Sequence, residues 1–181
     1  MFQANAYGET VAAILQLDGG GERLMPLAEG RCSSEEAAKR LRATPASELF
    51  PRSRAPEAAM AGLFVYFSCT DDAHTLAQDI PSAEGSYWHA IVHRQEPDPG
   101  NSAYWFHKVG LHPIFPELRE RAAAVGIDFG PRWDPFAFID LCEQARLKPS
   151  SGLDMNARRA QLAEWQLLFD YCASDRGARQ L

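Results

Sequence analysis

His89 and His93 stand four residues apart in the stretch HAIVH. Residues four apart on an α-helix lie one turn above each other, so this spacing puts two imidazoles on one helix face. Two nitrogens so placed can share one divalent cation. The zinc-protease motif carries Glu directly after its first His; here that position is Ala90, so its built-in general base is missing and a third ligand must come from elsewhere. The preceding segment DDAH offers one, because Asp71 and His74 are three residues apart and share a face. Carboxylate and histidine at this spacing form the ligand pairs of metal sites in helical bundles. Asp71, His74, His89 and His93 are therefore the candidate metal ligands, suited to Zn²⁺, or to Fe²⁺ or Mn²⁺ with water in further positions. Water on such an ion would support hydrolysis. Glu96 also lies on the His89 and His93 face, at the helix end, and ranks below the four as a ligand. With Arg94, whose guanidinium can clamp an anion through two hydrogen bonds, it is a candidate for holding a substrate. The ordinary alternative for Arg94 is an ion pair with Glu96 or Asp98. No residue declares itself a catalytic nucleophile.

A second reading needs no metal. Four of the five histidines fall between Ser86 and Pro113, among Tyr87, Trp88, Tyr104, Trp105 and Phe106. Imidazoles in such company can bury their ring bodies and hydrogen-bond their nitrogens locally, which would make the chain a non-enzymatic helical interaction module with structural histidines. His107 and His112 are isolated. Ser82, Gly85 and Ser86 precede His89 with small side chains, leaving room for a ligand or for the close approach of another segment.

Helices must position these residues. SSEEAAKRLRAT opens with a serine cap and early glutamates. PEAAMAGLFVYFS is apolar on every face and predicts a central buried helix. The pattern restarts at SCTDDAHTLAQDI, capped by Ser68 or Thr70, and Ser82 opens the helix of His89, which Pro97 ends near Glu96. After the turn PDPGN, capped by Asn101 or Asp98, SAYWFHKV runs to Gly110, so the centre of the chain reads as a helical hairpin. Its pattern is similar to one tetratricopeptide-like unit, but no copy recurs at the repeat period. PELRERAAAVG, DPFAFIDLCEQARL with its Asp134 cap, and DMNARRAQLAEWQLLFDYCAS supply three more helices. In the last, Leu162, Trp165, Leu168, Phe169 and Cys172 recur at helical spacing and predict a stripe docked on the core. No alternating run supports a sheet. The expected fold is all-α, a single-domain irregular helical bundle over 1–181, with residues 1–55 peripheral and 56–174 forming the core.

The bulk composition bounds the function classes. A chain of 181 residues with 46% hydrophobic and 23% charged residues is an ordinary globular composition, and no apolar run approaches the roughly 18 residues that span a bilayer. The net charge of −6 argues against a nucleic-acid backbone as partner. The expected partner is a small molecule or a protein, with neither nucleic acid nor membrane. Gly19, Gly20 and Gly21 lack the Lys and Ser or Thr of a phosphate loop. The N-terminus shows no secretion signal, and Cys32, Cys69, Cys142 and Cys172 have no C-x-x-C spacing, so reduced thiols and a cytoplasmic location are expected.

Through SYWHAIVHRQEPDPGNSAYWFHKVGLHP, and less closely through GLFVYFSCTDDAHTLAQ, the chain resembles a family of small uncharacterised proteins. These share a tryptophan-histidine helix, an HR-x-E turn and a following YWF helix, and have no established activity. The family pattern carries Arg where this chain has Gln95 and Lys where it has Ser102. The resemblance covers the middle third of the chain and implies no catalytic residue.

Overall fold

A computed structural model describes residues 2–175; Met1 and residues 176–181 lie outside the described part. Among the described residues ten α-helices make up the fold: α1 (Glu9–Leu15), α2 (Glu35–Ala43), α3 (Ala46–Leu49), α4 (Pro56–Tyr66), α5 (Thr70–Gln78), α6 (Ala83–Gln95), α7 (Pro99–Val109), α8 (Phe115–Ala124), α9 (Pro135–Arg146) and α10 (Gly152–Ala173). Two short 3-10 segments flank α1. Among the described residues the only extended pairing is a single bridge between Ser53 and Asp175, so the fold is all-α as the sequence predicts. None of the described helices is long and apolar enough to cross a membrane.

The caps follow the sequence in most places. The side chains of Ser34, Ser82, Asp98, Asp134 and Ser151 each accept a backbone N–H in the first turn of α2, α6, α7, α9 and α10. Each satisfies a donor that the helix cannot satisfy itself. Asp98 rather than Asn101 caps α7. Neither Ser68 nor Thr70 caps α5, whose N-cap is Cys69 without a side-chain bond. Instead, Ser68 takes the left-handed backbone, φ 56°, that turns the chain from α4 into α5.

Helices α4 and α6 are buried along almost their whole length and form the centre. They approach closely at Gly62, where an added Cβ would lie 2.7 Å from Cζ2 of Trp88. Gly85 serves the same purpose against Ile80, so the small residues ahead of His89 admit a neighbouring segment and not a ligand. Helix α10 packs across α4 with Trp165 and Phe169 buried, their rings stacked 5.0 Å apart, and Trp165 Nε1 donates to Gly62 O at 2.6 Å.

Between α6 and α10 lies a buried ion pair. Arg94 and Glu164 side chains are both 0% exposed, with Nη2 of Arg94 2.5 Å from Oε2 of Glu164. Tyr87, seven residues before Arg94 and so on the same helix face, donates to Glu164 Oε1 at 3.0 Å. Gln161 accepts from Arg94 and donates to the carbonyls of Met25 and Pro26. Arg146 Nη1 donates to the carbonyls of Leu27 and Arg94 at 2.8 and 2.9 Å. Burial pushes the Tyr87 phenol well above its ordinary range, and the Glu164 carboxylate adds to the effect. Burial opposes charge on Arg94, but Glu164 more than offsets it and holds the guanidinium above its usual value.

These contacts correct the expectation that residues 1–55 are peripheral. Val11, Ile14, Leu15, Met25 and Leu27 are buried in the same core as α4, α6 and α10. This segment has few helical turns and is anchored by carbonyls that Gln161 and Arg146 reach from distant helices, which no local sequence pattern announces. The thiol expectation is also corrected in part. Cys32 and Cys69 form a disulfide with Cα atoms 4.4 Å apart, while Cys142 and Cys172 are buried and free. With that pair oxidised, the reduced-thiol argument for a cytoplasmic location no longer stands.

Two stability measurements check this core. Trp165→Ala and Phe169→Ala should each cost about 3 to 5 kcal/mol in denaturant titrations; a loss below about 1 kcal/mol in both would place α10 outside the core. Glu164→Ala leaves a buried guanidinium unpaired and should cost about 3 to 5 kcal/mol, whereas the double variant Arg94→Met with Glu164→Met should recover most of that loss. Equal destabilisation of the single and double variants would show that charge pairing is not what holds α6 to α10.

Candidate metal centre

The connection between α5 and α6 is only Asp79, Ile80, Pro81 and Ser82, so the two helices return alongside each other. That places His74 of α5 against the His89 and His93 face of α6. The His74 ring centroid lies 4.6 Å from that of His89 and 5.1 Å from that of His93; the α6 pair are 4.7 Å apart and stacked. One nitrogen from each of the three rings falls within 4.8 Å of the others. Three donors on one ion stand about 3 to 4 Å apart, so side-chain adjustments of about an ångström close the group on a cation. His89 and His93 are buried and His74 is half-buried, which leaves the open side of the triad at His74.

The nitrogens of His89 define what the group can do. Both Nδ1 and Nε2 are buried and neither has a hydrogen-bond partner. Burial, with His93, His74 and Lys108 contributing, lowers its pKa to about 4, so the ring is neutral at physiological pH and carries one N–H and one free lone pair. An unmet buried polar atom costs about 1 to 3 kcal/mol. One face of this ring stacks on Trp105 of α7 at 4.1 Å, which fixes its plane. Lys108 sits 4.1 Å over the same indole.

Burial also lowers the pKa of His93, with Glu96 working against it. Nδ1 of His93 lies 3.0 Å from Oε2 of Glu96, close enough for a hydrogen bond although not yet aligned for one. A carboxylate on one nitrogen of a histidine orients the ring and raises the basicity of the other, the usual support of a metal ligand. Glu96 is thus placed behind the triad.

The other sequence candidates fall elsewhere. Asp71 is exposed on the far flank of α5, in the groove shared with Leu41, Arg42 and Asp72, and no carboxylate belongs to the histidine group among the described residues. Arg94 is not available to a substrate. Its neighbours around α6 turn it toward α10, and its partner is Glu164 rather than Glu96 or Asp98. Its position one residue from His93 is about 100° around the helix, so adjacency in sequence separates the two side chains. Sequence reasoning missed Trp105 as the wall of the triad. Its signal was available in the YWF segment returning antiparallel after the PDPGN turn.

Of the remaining histidines, His112 is buried, its Nδ1 accepts from the backbone N–H of Ile114, and its Nε2 is 3.9 Å from Glu84. Burial lowers its pKa to about 4, against the pull of Glu84. His107 packs on Phe136 at 4.6 Å.

No family model matches the chain, and neither does any curated protein or solved structure. The reading of this site therefore rests on its own geometry.

The two imidazoles whose pKa falls to about 4 set a pH dependence. In the unfolded chain each titrates near 6.5, so below that value the unfolded state binds protons that the folded state refuses. The metal-free protein should keep its full stability above pH 6.5 and lose it progressively from there down to about pH 4. Replacing His112 with Phe should make that loss shallower in urea titrations at several pH values. An unchanged slope would mean that His112 titrates normally in the folded protein.

Proposed function

We propose that the protein binds one divalent metal ion through His74, His89 and His93, and that the ion activates water for hydrolysis. The observation that supports this most is His89: a neutral imidazole, fixed by Trp105, with both nitrogens buried and unpartnered beside two further imidazoles. A cation on the lone pair satisfies one of those nitrogens and holds the three rings together. Three histidine nitrogens leave a fourth tetrahedral position for water, the ligand set of catalytic zinc sites, in which the bound water loses a proton near neutral pH. Zn²⁺ fits this donor set most closely. Fe²⁺ and Mn²⁺ fit with more water ligands. With no carboxylate in the group among the described residues, a bound ion would supply the activation of water, His74, His89 and His93 would hold it, and Glu96 would hold His93. On this reading, the stretch that carries the resemblance would hold His89, His93, Glu96 and Trp105 of the site, with His74 supplied by the preceding helix.

The competing reading, an interaction module with structural histidines, draws on the same rings, because imidazoles stacked on each other and on Trp105 are also good packing. Metal linkage separates the two. Protein prepared without a histidine tag should contain close to one equivalent of metal. Free Zn²⁺ at 100 times its dissociation constant adds about 2.7 kcal/mol, which for a domain of this size raises the melting temperature by about 5 to 11 °C. Chelator should reverse the rise. His74→Ala, His89→Ala and His93→Ala should each lose the metal and the chelator response, and metal-dependent hydrolysis of p-nitrophenyl acetate should vanish with it. A parent protein that takes up none of the three metals, with a melting temperature unmoved by any of them, would leave the histidines as packing groups. Metal uptake without hydrolysis would restrict the site to binding.

A further inference from the structure

Three helices meet at the triad, and α5 puts the least apolar side chain into the core. Its buried residues are Thr70, Ala73 and Ala77, whereas α6 buries Tyr87, Trp88 and Ile91 and α7 buries Phe106 and Val109. Small side chains remove little apolar area from water, so packing holds α5 less firmly than its neighbours. Its first turn also has no side-chain cap.

Ties from the N-terminal segment fix that first turn. Cys69, the N-cap of α5, is bonded through sulfur to Cys32. Beside it the Ser33 backbone N–H donates to Phe67 O at 2.7 Å, and Arg23 Nη2 donates to Ser68 Oγ at 2.8 Å. Arg42 pairs with Asp72 at the surface, where an ion pair contributes little. The disulfide is the covalent tie, and a thiol can break it. Cys32 is partly exposed and Cys69 is 4% exposed, so the sulfur open to attack is that of Cys32. An incoming thiolate bonds to Cys32 Sγ, and Cys69 leaves as a thiolate at the N-terminal end of α5, where the helix dipole favours negative charge. A second thiol then displaces Cys32 from the mixed disulfide. In sum, two thiols are oxidised to their disulfide, and Cys32 and Cys69 are reduced, taking up the two protons.

We infer that the Cys32–Cys69 bond is a redox latch on the histidine triad: oxidised, it holds α5 docked with His74 against His89 and His93; reduced by a thiol, it lets the start of α5 loosen and withdraws His74. His74 follows Cys69 by five residues and is the one member of the group not carried by α6. Loosening α5 therefore leaves two imidazoles where three had converged. Metal affinity falls in proportion to the fraction of molecules that keep α5 docked, and a bound metal opposes reduction by the same factor. Control of a metal rests on the metal-binding reading proposed above; the hold on α5 does not.

Hydrogen exchange of the whole, metal-free chain before and after dithiothreitol reads the latch directly. Reduction should reach completion without denaturant, and α5 amides should then exchange about tenfold faster while those of α6 and α10 keep their rates. Co²⁺, followed by its visible absorption, reads the metal. The double variant Cys32→Ser with Cys69→Ser, which leaves no thiol there to compete for the ion, should bind Co²⁺ about tenfold more weakly than the oxidised parent. A bond that resists dithiothreitol in the folded protein would overturn the inference. So would unchanged α5 exchange, or a rise shared equally by α6 and α10, which would make the bond a staple of the whole fold. Looser α5 with equal Co²⁺ affinity in parent and variant would overturn control of the metal. An oxidised parent that binds no Co²⁺ would overturn the metal reading and that control together, while the exchange rates would still decide the latch on α5.

Discussion

Taking Arg94 and Glu164 out of water is expensive, by several kcal/mol per ion, and only good geometry and further hydrogen bonds offset it. The pair obtains both, from Tyr87, Gln161 and the stacking of the guanidinium 4.6 Å over Phe138. Such a contact tolerates few arrangements, because a small slip leaves a charge buried and unmatched. It therefore sets the rotation of α6 about its own axis. With Tyr87 and Arg94 facing α10, residues 89 and 93 are carried about 130° around the helix, at 3.6 residues per turn, to the side where α5 lies. The histidine face is aimed at His74 by a charge pair on the other flank of the same helix. The N-terminal segment depends on the same pair, since Gln161 and Arg146, which hold its carbonyls, are themselves positioned by Arg94.

Burial has a chemical effect on the triad as well as a mechanical one. A free imidazole is partly protonated near neutral pH, and a proton competes with a metal for the lone pair. Packing against Trp105 and the neighbouring rings removes most of that competition before any ion arrives, because it disfavours the charged form. The His89 ring is thus in its ligand state at neutral pH, and burial moves His93 in the same direction. Neighbouring imidazoles add to the effect of burial at His89 and at His93, each disfavouring a second charge beside it.

Spacing made the local part of this legible. HAIVH fixed a shared face, the four-residue link before Ala83 made α5 and α6 neighbours, and the proline and aspartate signals located α7 and α9. Interactions between distant residues were not legible, because nothing near Arg94 points to a carboxylate seventy residues later on α10. Glu96 and Asp98 are nearer to Arg94 in sequence, and local spacing alone favours them. Asp71 misled for a related cause: sharing a face with His74 on a short helix does not decide which neighbour that part of the helix meets, and the first turn of α5 looks toward α2.

The Cys32–Cys69 bond has a consequence for how the chain comes apart. It closes a loop with a sequence separation of 37, which contains all of α2, α3 and α4. Loop closure of that length removes about 4 kcal/mol of freedom from the unfolded chain in the entropic account. A protease that cuts between the two cysteines, in an exposed turn such as that around Arg52, would leave both fragments covalently joined. The nicked molecule would migrate as one species until reduced, with α1, α2 and α3 still tethered to α4 and the rest of the core.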